Sequence, residues 1–245
     1  MPTTSSDENP ACLICGAPLK YQDIAEEMTC SICGKNFLSN GKCTEGHFVC
    51  DECHAKPSFA VIRYICLNTK SKNPINIANK IMRSNAVHMH GPEHHVIPGS
   101  ALLAAYKNAG GEVDLPIALT MMEHRGAAIP GGFCGLAGAC GAAISTGIFL
   151  SIILKTNPLS IESWGLGNQL TGKSLIEIGS LGGPRCCKRD SYIAIKNAVE
   201  FVREHLGIEM ELPKNIVCGF HEKNSECLLE SCPYHPKAVK KRTDK

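Results

Sequence analysis

Pairs of cysteine and histidine residues fill the start of this chain, and they constrain its fold more than any other feature. Two or three residues separate the members of each pair: Cys12 and Cys15, Cys30 and Cys33, Cys43 and His47, and Cys50 and Cys53. A tetrahedral zinc ion takes four thiolate or imidazole ligands, usually as two such pairs on tight turns. The eight residues therefore predict two zinc ions, with His54 as a spare candidate ligand.

This head contains few large apolar side chains, so burial alone gives it little stability. Zinc binding has to supply the missing folding free energy, on the order of 10 kcal/mol for each ion. Four protein ligands leave no open coordination position, which favours a structural over a catalytic role. The spacing permits two pairings, either sequential or interleaved as in a RING-like cross-brace. Zinc ribbons usually contain short β-hairpins, which we expect here.

The composition bears on the partners of the chain, on its cellular compartment and on the use of its cysteines. A formal net charge of +2 and an aromatic content of 5% do not favour a nucleic-acid partner. The polar start, Met1 to Pro10, lacks the apolar run of a signal peptide. We therefore expect the fifteen cysteines to serve metal or redox chemistry in the cytoplasm of a reducing, anaerobic cell, and not to form disulfides.

One uncharged stretch, Gly126 to Leu154, is long enough to span a membrane, but Pro130 and several glycines interrupt its first half. Small residues recur in it at every fourth position: Gly135, Ala139, Ala143, Gly147 and Ser151. On one helix these residues would share a face and allow another backbone to approach closely. We expect a tightly packed, buried helix and no membrane association.

Changes in composition divide the chain into four parts: a disordered leader (1–10), a head with two zinc sites (11–56), an all-α core rich in cysteine and histidine (57–236) and a basic tail (237–245). The predicted fold class is mainly α, with six or seven helices in a bundle and a small, zinc-ribbon-like β head.

Capping signals place several helix ends in the core. Ser58, directly after Pro57, is expected to begin the first core helix. Asn73 before proline and Asp114 are typical N-caps. Asp190 is expected to begin the clearest amphipathic helix, whose apolar stripe ends before a glycine.

Four histidines and a glutamate fall between His88 and His95, in a segment where Gly91 and Pro92 prevent a continuous helix. Neutral imidazoles in such a turn bind iron or zinc, or transfer protons near neutral pH. We name His90, His94 and Glu93 as candidate catalytic residues. The alternative is a polar loop whose histidines only form hydrogen bonds with the backbone.

Glycines surround Cys134 and Cys140 at the predicted start of a helix. Backbone amides at a helix start lower the pKa of a thiol, so these residues are candidate reactive thiolates or cofactor ligands. Buried cysteine also packs as a small apolar side chain, and the sequence does not decide between these interpretations.

Further thiols lie near the end of the chain. Cys186 and Cys187 adjoin a Gly-Pro-Arg turn, and the remaining candidate cofactor ligands are Cys218, Cys227, Cys232 and His235. Thiolates on turns are typical of iron–sulfur proteins, although this spacing matches neither common ferredoxin pattern. A third zinc site and unliganded thiols are the rival interpretations. Adjacent cysteines rarely bind one metal together, so Cys187 is a candidate catalytic thiol.

With these motifs, the chain resembles a family of proteins from anaerobic bacteria and archaea catalogued as domain of unknown function 5714. The resemblance rests on the zinc-binding head and on four further segments: His88 to His95, Gly131 to Gly141, Gly183 to Arg189 and Cys227 to Pro236. Some such proteins are labelled S-adenosylmethionine-dependent methyltransferases. More loosely, Cys140 to Gly147 is similar to a helix of a small, cysteine-rich, redox-associated family. Neither resemblance implies a catalytic residue.

The sequence thus predicts a redox or group-transfer enzyme in which the core thiols and the histidine-rich turn converge on one metal or iron–sulfur centre. A methyltransferase and a non-catalytic zinc-ribbon adaptor, metal carrier or sensor are the alternatives. The partner is expected to be an unidentified small-molecule substrate or protein, and a homo-oligomer is left open.

Overall fold

A single β-hairpin forms the framework of the head. The computed structural model describes residues 12–15 and 17–243, so the leader predicted at 1–10 lies outside the described residues. Strand β1 (Leu19–Thr29) pairs antiparallel with strand β2 (Asn36–Cys43). The described ranges contain no other sheet. The expected short hairpin is therefore present, and the rest of the described chain is helical or irregular.

Helices build the core, which confirms the predicted fold class. The described residues form nine α-helices: α1 (Asp51–Asn68), α2 (Pro74–Met82), α3 (Ile97–Asn108), α4 (Leu115–Ala127), α5 (Phe133–Leu136), α6 (Gly141–Ile153), α7 (Glu162–Leu181), α8 (Cys187–Leu206) and α9 (Pro236–Thr243). Short 3₁₀ turns occupy Pro92–His95, His221–Lys223 and Leu229–Ser231. Residues 237–243 of the predicted basic tail therefore belong to helix α9.

Three predicted helix ends are correct. The Asn73 carboxamide oxygen accepts a hydrogen bond from the Asn76 N–H at 3.1 Å, and the Asp114 carboxylate accepts one from the Ile117 N–H at 3.1 Å. Each satisfies a donor that the first helical turn cannot pair internally. Gly207 ends α8 with a φ of 68°, a left-handed conformation that glycine adopts without strain.

Helix α1 begins earlier than predicted. It starts at Asp51 and continues through Pro57, so Ser58 is an interior residue whose hydroxyl donates to the carbonyl of Ala55 at 2.6 Å. Proline lacks the N–H that would bond the carbonyl of Cys53, one local hydrogen bond that the helix does without. The same helix therefore carries a metal-ligand pair of the head and packs into the core.

Helix α8 also begins earlier than predicted, at Cys187 and not at Asp190. The sulfur of Cys186 acts as the N-cap, because it accepts a hydrogen bond from the Arg189 N–H at 3.5 Å. Its apolar stripe is buried as expected: Ile195, Ala198, Val199 and Val202. Charged residues in its first turn are buried as well, which the amphipathic pattern did not indicate.

The predicted small-residue helix is divided into two. Gly135 belongs to the four-residue helix α5, and Ala139 lies between helices, so these two do not share a face with the residues of α6. Helix α6 itself is largely buried, and Gly147 packs against α7. Within the described residues, every helix is too short or too polar to cross a bilayer.

The α6–α7 contact leaves no room for a side chain at Gly147. A Cβ there would lie 2.1 Å from the Thr171 hydroxyl oxygen, which is held by a hydrogen bond to the Gly167 carbonyl. We expect Gly147→Ala to lower the free energy of unfolding by roughly 1–3 kcal/mol in denaturant titrations of the metal-loaded protein. The control is Gly172→Ala on α7, where nothing lies within 4 Å, and which should raise it by about 0.5–1 kcal/mol. Equal stability of the two variants would contradict this packing.

Candidate metal sites in the head and the core

Eight side chains of the head form two groups of four, and the two groups interleave along the chain. The first contains Cys12, Cys15, Cys43 and His47, and the second contains Cys30, Cys33, Cys50 and Cys53. Within each group, one ligand atom from every residue lies within 4.8 Å of the others. All eight predicted ligands are included, the pairing is the cross-brace alternative, and both groups could bind metal ions such as zinc.

The distances within each group fit a tetrahedral ion. Sulfurs bound at 2.3 Å in a tetrahedron are about 3.8 Å apart. The sulfurs of Cys15 and Cys43 are 3.9 Å apart, and those of Cys33 and Cys50 are 3.8 Å apart. In the first group, His47 Nδ1 lies 3.3 Å from the Cys15 sulfur. The donor atoms therefore surround positions of the right size for zinc.

Electrostatics in the second group favour a bound cation. Burial opposes ionisation of Cys30, but hydrogen bonds from the backbone N–H groups of Cys50, Cys33 and Ile32 lower the pKa of its thiol to about 6. Burial and the neighbouring thiols raise the pKa of Cys53 to about 12. One thiolate thus forms readily and its charge opposes ionisation of the others, a repulsion that a divalent cation relieves.

The cross-brace makes a specific prediction about shared ligands. We expect Cys12→Ser and Cys43→Ser to lose the same ion, the one with a nitrogen ligand, whereas Cys33→Ser loses the other. Cadmium-113 NMR of the cadmium-substituted protein distinguishes the two ions by their ligand sets. Cys134→Ser, outside both groups, should keep both resonances. Loss of different resonances in the first two variants would indicate sequential pairing.

In the core, cysteines from two separate segments line one cavity. Cys186 precedes α8, whereas Cys218, Cys227 and Cys232 belong to the irregular segment between α8 and α9. The cavity has a volume of about 370 Å³ including its opening to solvent, and His235 also lines it. Five of the predicted cofactor ligands therefore meet at one place.

Each of these four sulfurs accepts hydrogen bonds from nearby backbone N–H groups. The donors are Arg189 for Cys186 at 3.5 Å, Phe220 for Cys218 at 3.4 Å, Leu229 for Cys227 at 3.4 Å, and Tyr234 and His235 for Cys232. The Asn224 carboxamide also donates to Cys186, at 3.6 Å. Burial nevertheless raises the pKa of the Cys186 thiol to about 11. Without a cation the Cys186 thiol stays neutral, whereas a metal centre converts coordinating thiols to thiolates.

A buried cation faces the same cavity. The Arg189 guanidinium donates to the Asp190 carboxylate at 2.9 Å and to the carbonyls of Gly182 and Pro184. Its Nη1 is buried and has no partner among the described residues. This unpaired donor at the wall of a thiol-lined cavity is available to an anionic group or to water.

The histidine-rich turn reaches this region through Met89, which lines the cavity, and through His90 and His94. His90 Nε2 lies 3.2 Å from the Asn224 carboxamide oxygen, and thus one side chain away from Cys186. His94 is buried, with Nε2 2.8 Å from the Lys188 ammonium. Burial and this lysine lower the pKa of His94, so its imidazole is neutral. Burial in turn lowers the pKa of Lys188 to about 8.

Glu93 and His95 of the turn do not line the cavity. His95 Nδ1 lies 3.0 Å from the carbonyl of Ile129, as the backbone-bonded alternative expects. The Glu93 carboxylate is fully buried between His54 and His88. The histidine-rich turn thus serves more than one environment.

Three predicted thiols do not line the cavity. Cys134 is exposed on α5. Cys140 lies 3.7 Å from the Asp190 carboxylate, and burial together with that charge raises its pKa, so the lowered pKa expected at a helix start is wrong here. Burial likewise raises the pKa of Cys187 to about 12. The structure therefore separates residues that the sequence assigned to one centre.

Sequence reasoning missed polar residues that line the cavity, among them Arg189 and Asn224, and it also missed Lys188, which contacts the histidine-rich turn. Lys188 and Arg189 had a signal, since two consecutive cations at the start of an amphipathic helix need buried partners. Asn224 had none, because its role depends on contacts with residues 90 and 186, which are distant in sequence.

A comparison with known families finds one matching family model. The model described as "Family of unknown function (DUF5714)" matches residues 62–235, which is most of the chain. The chain belongs to this family. The DUF5714 region includes the histidine-rich turn and the four cavity cysteines, but it begins within α1, after the last ligand of the head. No curated protein and no solved structure matches the chain.

Proposed function

We propose that this DUF5714 protein is a redox enzyme of anaerobic metabolism that binds an iron–sulfur cluster between Cys186, Cys218, Cys227 and Cys232. The proposal rests on one observation: thiols from distant segments line a single cavity, and each accepts backbone hydrogen bonds. Cysteine thiolates on turns are the usual cluster ligands, and hydrogen bonds to their sulfurs tune the reduction potential.

The spacing of the thiols favours a cluster over a single zinc ion. A lone tetrahedral zinc requires sulfurs about 3.8 Å apart, as the head provides. Within residues 12–15 and 17–243, the cavity cysteines form no group whose ligand atoms all lie within 4.8 Å of one another. A centre of several irons fills the wider space between such ligands.

The charge distribution suits a centre that accepts electrons. An iron–sulfur cluster with four thiolates is anionic, and reduction adds a further negative charge. The Arg189 guanidinium at the cavity wall is ion-paired with Asp190, but its unpaired Nη1–H group is available to donate to this anionic centre. The Asn224 N–H bond to Cys186 stabilises the reduced state in the same way, and Asn224 connects this sulfur to His90. His90 is thus placed to couple electron transfer to proton transfer.

The rival functions have weaker support. Two structural zinc ions alone suit an adaptor, but this role leaves the thiol-lined cavity unexplained. A methyltransferase of the nucleotide-binding type requires a parallel sheet with a glycine-rich loop. Among the described residues the only sheet is the head hairpin, so nothing supports that function.

Anaerobic reconstitution with iron and sulfide tests the cluster. We expect a brown protein with visible charge-transfer absorbance and about four irons per chain, the content of a cubane cluster with four thiolate ligands. Cys218→Ser and Cys227→Ser should lose most of the colour and iron while keeping the zinc of the head. Cys134→Ser is the control and should match the wild type.

Two results would refute this proposal. One is a colourless protein that takes up only zinc under anaerobic reconstitution. The other is unchanged iron content in both serine variants, which would mean that iron binds elsewhere.

The hydrogen bond to Cys186 gives a second test. Asn224→Asp keeps the side-chain oxygen near His90 but replaces the N–H donor beside the sulfur with a carboxylate oxygen. We expect the cluster potential to become more negative, because the anion and the lost donor both destabilise the reduced state. Redox titration followed by EPR measures the shift. Asn168→Asp, on the exposed face of α7, should leave the potential unchanged, and equal shifts in both variants would exclude a local effect.

A further inference from the structure

A third group of metal-ligand side chains lies where the head meets the core. His54 belongs to the first turn of α1, directly after the head ligand Cys53, whereas His88 and Glu93 belong to the histidine-rich turn. One ligand atom from each of the three lies within 4.8 Å of the other two. We propose that His54, His88 and Glu93 bind a divalent transition-metal ion that keeps open coordination positions.

The distances fit such an ion. His54 Nδ1 is 3.4 Å from Glu93 Oε2, and His88 Nδ1 is 3.5 Å from Glu93 Oε1. Ligand atoms 2.0–2.1 Å from a tetrahedral ion are about 3.4 Å apart. These separations are long for direct hydrogen bonds, which are strongest near 2.9 Å. The distances between the three side chains therefore fit ligands around a shared cation better than they fit hydrogen bonds between the side chains.

The unmet hydrogen-bonding capacity of the group points to the same position. The Nδ1 atoms of both histidines and Oε2 of Glu93 are buried and have no hydrogen-bond partner among the described residues. Glu93 is fully buried, and a buried carboxylate is costly unless charges or donors compensate it. Its Oε1 accepts a hydrogen bond from the His88 backbone N–H at 2.9 Å, which leaves Oε2 without a donor. The ammonium of Lys188 makes no hydrogen bond to Oε2, because it donates to the His88 carbonyl at 2.6 Å and contacts His94.

The backbone at Gly91 packs directly against these ligands, with no space for a side chain. A Cβ on Gly91 would lie 2.1 Å from Glu93 Oε2 and 2.6 Å from His54 Cε1. The turn thus needs glycine at this position so that the carboxylate and the imidazole can approach each other. Gly91→Ala removes no ligand, yet it has to displace two of them.

Two imidazoles and one carboxylate are the ligand set of catalytic zinc sites and of non-haem iron(II) sites. Three protein ligands leave room for water or a small ligand. The side chains of His54 and His88 are 20% and 32% exposed, so the ion and its exchangeable ligand have a route from solvent. The bound ion would also link the head to the core. This inference does not depend on the iron–sulfur proposal.

Cobalt(II) titration of the full-length protein, with two zinc ions already in the head, tests the third site. Zinc binds more tightly than cobalt, so the head ions stay in place. We expect one cobalt with nitrogen and oxygen ligands, whose spectrum has d–d bands without thiolate charge transfer. Glu93→Gln, His54→Gln and His88→Gln should each weaken its binding by at least about a hundredfold, since even second-shell partners are worth 10–100-fold.

Gly91→Ala should also weaken cobalt binding, whereas the exposed His124→Gln should bind as the wild type does. If Glu93→Gln loses its helical circular dichroism, the two partly exposed histidine variants decide the result. The inference is overturned if the wild type binds no such cobalt, or if cobalt binding survives in the histidine variants. A protein that stays colourless after reconstitution with iron and sulfide but still binds cobalt at this site would refute the cluster and leave the third site intact.

Discussion

Pairing of buried charges in the first turn of α8 is the constraint on which the rest of the core depends. Lys188, Arg189 and Asp190 are each at most 3% exposed. Burying three charges without partners would cost far more than a domain of this size can sustain. Each therefore has a specific partner, and together these contacts determine where the surrounding loops can lie.

The partners of these charges belong to separate parts of the chain. Lys188 holds the histidine-rich turn through the His88 carbonyl and His94. Arg189 holds the loop before α8 through the carbonyls of Gly182 and Pro184. Arg189 lines the cavity of the proposed cluster. Lys188 bonds to the carbonyl of His88, which is a member of the His54–His88–Glu93 group. The buried first turn of α8 thus contacts both candidate metal sites of the core.

The sequence was most informative where ligands are close together along the chain. The four head pairs could be predicted from spacing alone, because two thiolate or imidazole side chains on one tight turn are typical of zinc sites. Helix caps such as Asn73 and Asp114 were equally local. The cross-brace could not be predicted, because sequential and interleaved pairings use the same four ligand pairs on the same local turns. Only the hairpin, which brings Cys43 back towards Cys12, decides between them.

The core site could be predicted only in part, because its ligands are far apart along the chain. Composition indicated that thiols would gather, but it did not indicate which ones. Cys140 and Cys187 have the same local environment at a helix start as Cys186, yet burial places them away from the cavity. The role of His54 was also hidden, because adjacent Cys53 made it look like a spare ligand of the head. The continuity of α1 through Pro57 resolves this, since a helix that begins among the head ligands and packs into the core presents His54 to Glu93. The first turn of α1 therefore positions one ligand of the head, Cys53, and one ligand of the third group, His54. A metal ion bound at either site restrains the ligand at the other.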